Sequence, residues 1–114
     1  MGSGVEHTLS GITYKTFTAS ANEVRFASLK ALDRMGMKLT SDTETPEGWK
    51  LVAAANQRTI EIEIERLTNT ASRMRVVANK GDIFFKDSAT ATEIILQTAE
   101  ALDTPRAVAG RKKI

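Results

Sequence analysis

Few side chains in this chain are of a type and spacing that could do chemistry. Glu61, Glu63 and Glu65 stand two apart in Thr59-Ile60-Glu61-Ile62-Glu63-Ile64-Glu65. That spacing sets three carboxylates on one face of a strand, where a hard cation is geometrically conceivable. Arg73 and Arg75 follow in a basic stretch that fits beside them, and their charge favours a solvated, cross-paired sheet face over a metal site. His7 is the single histidine and falls in an end expected to fray. This leaves no histidine metal cluster and no preorganised base for a Ser-His-Asp triad. Cysteine is absent, which removes disulfides and thiolate sites. Lys80-Gly81-Asp82 signals a turn but lacks the spacing of a phosphate loop. The expectation is a non-enzyme with no cofactor and no metal.

Ile83-Phe84-Phe85 is the remaining oddity, since two adjacent rings hold half of the four phenylalanines. Neighbours in an extended segment point to opposite sides, so one ring can enter the core while the other faces out. Phe84 and Phe85 are therefore the candidate contact residues. The competing reading has both rings buried by a loop that wraps the start of the following helix.

The elements that must position these residues follow from periodicity. Residues 12–19, rich in β-branched and aromatic side chains, read as a first strand. Ser20 and Glu23 form a capping box, and a helix runs from about Ala21 to Met35, closed by Gly36. Val24, Ala27, Ala31, Leu32 and Met35 cluster on its inner side, with Phe26 and Leu29 on the flank, placed to cover a sheet edge. Residues 37–41 read as a short strand and Asp42–Gly48 as a loop. Residues 49–55 form a strand, and Asn56-Gln57-Arg58 turns into the acidic one. Facing Ile60, Ile62 and Ile64 inward with Met74, Val76 and Ala78 pairs Glu65 with Arg73 and Glu63 with Arg75, because a one-residue slip would bury three glutamates. A last helix from Ser88 to about Leu102 has Ala91, Ile94, Ile95, Thr98 and Leu102 on one face. Thr90 and Glu93 offer it a capping box, Asp87 and Ser88 are rival caps, and Asp103-Thr104-Pro105 stops it. The fold class expected is α+β, an antiparallel sheet of four or five strands with two helices packed on one face, in the order β-α-β-β-β-α.

At 114 residues the chain is expected to hold one domain, 12–104, able to bury roughly 65% of its unfolded surface without staples. Residues 1–11 are expected to be a disordered segment, and Met1-Gly2-Ser3-Gly4 reads as an expression scar. Residues 105–114 are expected to be a disordered basic tail. Arg106, Arg111, Lys112 and Lys113 lie there without an acid, and removing those four from sixteen bases leaves twelve against fourteen acids, a net of −2 over residues 1–105. The basicity belongs to the tail, which makes nucleic-acid binding the weakest reading. No apolar run reaches the length of a membrane span.

Arg73-Met74-Arg75-Val76-Val77-Ala78-Asn79-Lys80-Gly81-Asp82, followed by Ser88 and Ile94-Ile95, resembles a bacterial, proteobacterial family of short envelope proteins, often lipoproteins, that form a domain of unknown function. The resemblance covers roughly residues 12–103 in order and pattern, and Ile83-Phe84-Phe85-Lys86 departs from it as a longer link. It implies a protein of the periplasm or cell envelope with no catalytic residues to carry over; without it the expectation is cytoplasmic. The function expected is a non-catalytic envelope or scaffold module acting through contacts with a protein partner or itself. The alternative is a carrier of a small apolar ligand or lipid between helix and sheet.

Overall fold

Alternation of apolar and polar residues decides the sheet. The computed structural model describes residues 7–9, 11–81 and 86–112, with side chains described for 11–81 and 86–103. The elements are β1 (His7–Leu9), β2 (Ile12–Phe17), α1 (Ala21–Arg34), β3 (Lys38–Glu44), β4 (Gly48–Ala55), β5 (Arg58–Thr68), β6 (Ala71–Lys80) and α2 (Ser88–Lys112). They build one antiparallel sheet in the order β1-β2-β6-β5-β4-β3. The α+β architecture expected from the sequence is the one observed, but the sheet has six strands rather than four or five: β1 is added at the edge, and four strands rather than three lie between the helices.

Ile60, Ile62, Ile64, Met74, Val76 and Ala78 are all at most 1% exposed, and they meet Val24, Leu32, Leu51, Ile94 and Ile95 in one core. Both helices lie on this inner face, α1 over β3 to β6 and α2 over β6 and β2, side by side. Glu65 pairs with Arg73 and Glu63 with Arg75, the register that burial of the isoleucines demands. Each fully buried isoleucine contributes about 1.5–3 kcal/mol of transfer free energy, whereas an exposed ion pair contributes about 0–1 kcal/mol. Burial sets the register and the charges conform to it.

Local signals set the helix ends. Ser20 Oγ accepts from Glu23 N (3.1 Å) and Glu23 Oε1 accepts from Ser20 N (2.9 Å), closing the capping box. At the other end Met37 N donates to Leu32 O (2.9 Å) and Gly36 N to Asp33 O (3.0 Å), with Gly36 at φ +71°. This 6→1 and 5→2 pair terminates the helix and needs the left-handed residue that glycine provides. On α2, Asp87 prevails over the Thr90–Glu93 box: its Oδ1 accepts from Thr90 N (3.1 Å) and its carbonyl from Ala91 N (3.1 Å).

Three boundaries differ from the sequence expectation. Residues 7–9, expected within a disordered end, pair with β2 through His7–Tyr14 and Leu9–Ile12; three residues are too few to show alternation. The backbone of α2 runs on to Lys112, through the Pro105 expected to stop it and along most of the stretch expected to be a disordered tail. A proline forgoes one i→i−4 bond but its φ is helical. Finally, β3 continues to Glu44, so the expected loop Asp42–Gly48 contracts. Thr45 and Gly48 exchange backbone hydrogen bonds (2.9 and 3.1 Å) around Pro46-Glu47. Gly48 is required there, because a Cβ would stand 2.0 Å from the Ile64 carbonyl oxygen.

Candidate interaction face

The strand pairings place the outward side chains in rows across the sheet. One row runs Tyr14, Arg75, Glu63, Lys50, Thr43 from β2 to β3. The next holds Ile12, Val77, Glu61, Val52 and Ser41, and a third holds Thr16, Arg73, Glu65 and Gly48. Read along the strands, β6 is a basic stripe, β5 an acidic stripe, and β4 carries one lysine. Arg73 Nη2 donates to Glu65 Oε1 at 2.7 Å, and Arg75 stands 3.5 Å from Glu63. Their side chains remain 33–48% exposed. Among the described residues no helix packs on this face, so an antiparallel sheet here has one sealed and one open side.

The three glutamates considered as a cation site lie in this face as the alternation requires. Two of them are taken up by arginines, and among the described residues no group of three acidic, histidine or cysteine side chains is placed to hold a metal ion. An open depression of about 330 Å³ lies where the face meets the β3–β4 turn, lined by Glu47, Trp49, Lys50, Glu63 and Glu65 among others. Phe84 and Phe85, the candidate contact residues, lie outside the described residues.

On the helical side, α1 is fastened to the β3 edge by a cluster the sequence reading did not identify. Arg25 Nε donates to Asp42 Oδ1 at 3.1 Å, and its Nη2 pairs with Asp42 Oδ2. The hydrogen bond to Asp42 raises the guanidinium pKa above its ordinary value, against a smaller opposing effect of burial. The guanidinium stacks 4.3 Å from the Trp49 ring centre and 5.2 Å from that of Phe26. Trp49 Nε1 donates to Asn22 Oδ1 at 3.1 Å. Phe26, expected to cover the sheet edge, is instead 60% exposed and lies against Arg25. The composition of Asp42–Gly48, with Pro46, predicts a loop, and the partner of Asp42 is seventeen residues away; a strand running to Glu44 turns that carboxylate toward α1.

A second cluster ties α2 to the sheet. Asp87 Oδ2 accepts from Arg58 Nε (2.7 Å) and Thr90 Oγ1 (2.5 Å). Hydrogen bonds from Thr90 and then Arg58 lower its pKa to about 2, against a smaller opposing effect of burial. Both clusters are ion pairs that fasten a helix to the sheet, α1 to β3 and α2 to β5. Among the described residues no helix is long and apolar enough to cross a membrane. In comparison with known proteins, no family model matches the chain and no curated protein is significantly similar to it.

Proposed function

We propose that this chain is a non-catalytic module of the bacterial envelope that acts through protein contacts made by the open face of its sheet. The observation carrying this reading is the asymmetry of the sheet. One side is sealed by two helices over side chains of near-zero exposure, while the other presents ordered stripes of charge across several strands. A surface of that kind recognises a complementary surface through many weak, geometrically fixed pairs. The envelope part of the reading rests on the resemblance carried by Arg73–Asp82, Ser88 and Ile94-Ile95.

The carrier alternative sets an apolar ligand between helices and sheet. Leu32, Leu51, Ile60, Ile62, Ile94 and Ile95 already occupy that layer against one another, which favours the contact reading. Nucleic-acid binding would rest on Arg106, Arg111, Lys112 and Lys113, whose side chains lie outside those described.

A photoreactive residue at Thr43, exposed on the open face, and another at Leu96, exposed on α2, test the proposal in cells fractionated into envelope and cytoplasm. Protein cross-links from Thr43 in the envelope fraction, and not from Leu96, are the expected result. Equal labelling from both positions, or none from Thr43, refutes it.

A further inference from the structure

We infer that the open face pairs with the same face of a second copy of this chain, about a two-fold axis that lies in the face and runs along the strands between β5 and β6. This rests on the reading of that face as a contact surface and names its partner.

The strand order makes the face self-complementary. Three strands lie on each side of the line between β5 and β6. Rotation about that line sets β6 of one copy over β5 of the other while keeping each row in place. Arg75 then faces Glu63 of the second copy, and Arg73 faces Glu65, each in both directions because they are row mates. The flanks follow the same rule: Ile12 of β2 comes over Val52 of β4, both half-buried. Each arginine that now serves one carboxylate serves two, and no like charges from these pairs are opposed.

Dimensions agree with this. Six strands about 4.8 Å apart, with three rows of side chains about 7 Å apart, present at most about 500–600 Å² per copy, near the low end for a specific interface. Sheets stacked face to face sit about 10 Å apart at a small angle, a gap that arginine and glutamate side chains span. Strand addition at the β3 edge does not compete. β3 carries Lys38, Asp42 and Glu44 and a register shift between Leu39 and Ser41, features that oppose strand addition at an edge.

The experiment is sedimentation velocity on the full chain over a concentration series, with the variants Glu63→Arg and Arg75→Glu alone and mixed. Both positions face solvent, so each variant should fold, as circular dichroism melting checks. Glu65→Arg and Arg73→Glu in the neighbouring row replace any variant that does not. The native chain should dimerise, with a Kd at least about tenfold weaker when salt rises from 0.05 to 0.5 M. Each variant alone should be monomeric, since one now opposes arginine to arginine and the other glutamate to glutamate. An equimolar mixture should recover the dimer as a heterodimer, because the two altered rows complement each other. A native chain that stays monomeric throughout overturns the inference while leaving the cross-linking result from Thr43 to judge the contact reading. Variants that dimerise like the native chain, or a mixture that stays monomeric, also overturn it.

Discussion

Asp87 allows a stability measurement to be predicted from geometry. Its carboxylate caps α2, accepts the Thr90 hydroxyl and pairs with Arg58 at 2.7 Å. Its pKa is lowered from 3.8 to about 2, which at 1.36 kcal/mol per unit is about 2 kcal/mol. The Asp87 side chain is 14% exposed and that of Arg58 29%, so solvent screening brings the expected contribution to about 1–2 kcal/mol. Because the folded pKa is depressed, this stability is fully present above pH 3.8. It declines as pH falls toward 2 and is gone below that. Asp87→Asn retains an amide oxygen able to cap Thr90 N but lacks the charge. Urea unfolding of both proteins between about pH 1.5 and 7 isolates the term, since every other carboxylate cancels in the difference. The native advantage should be flat above pH 4 and shrink by about 1–2 kcal/mol between pH 4 and 2. A difference independent of pH, or one that widens in acid, would refute the assignment of that stability to the Asp87 carboxylate.

Two further substitutions probe the sheet. Ile62→Glu places an unpaired charge in a fully buried site and should abolish folding or cost more than about 4 kcal/mol, whereas Glu63→Ile, one residue on, should stay within about 0.5 kcal/mol; equal damage to the melting temperature from both would mean that both faces are covered. Gln57 holds φ +66° beside Asn56 at φ +44°, a two-residue turn that favours glycine at the second position. Gln57→Gly should therefore raise stability by about 0.5–1 kcal/mol in urea melts, and a loss of stability would show that the Gln57 side chain contributes more than its backbone costs.

What could be read from sequence divides by the range of the signal. The Ser20–Glu23 box and the Gly36 stop are short local patterns, and both are present as expected. Alternation over Ile60–Ile64 carried the register of β5 and β6 because an error there exposes a whole face. The strand at His7–Leu9 was too short to show a period, and Pro105 suggested an end that the backbone of α2 passes. The Arg25–Asp42–Trp49 cluster was hidden because its members come from three elements and gain meaning only when β3 runs past Ser41. Asp87 could have been preferred as the cap: it alone among the rival residues is also in reach of a cation on the sheet, Arg58, though that neighbour is twenty-nine positions away.

The position of β2 has a consequence for the chain as it is made. Strands β3 to β6 are joined by short turns and pair with their neighbours in order, so that meander can close as it emerges. β2 pairs instead with β6, Ile12 opposite Val77, and α1 rests on strands that come after it. A ribosome adding about 5–20 residues per second leaves β2 without its inner neighbour for several seconds. During that interval Phe17, Val24 and Leu32, all destined for the core, are exposed on a nascent chain, and this N-terminal third is where a chaperone would find its binding site.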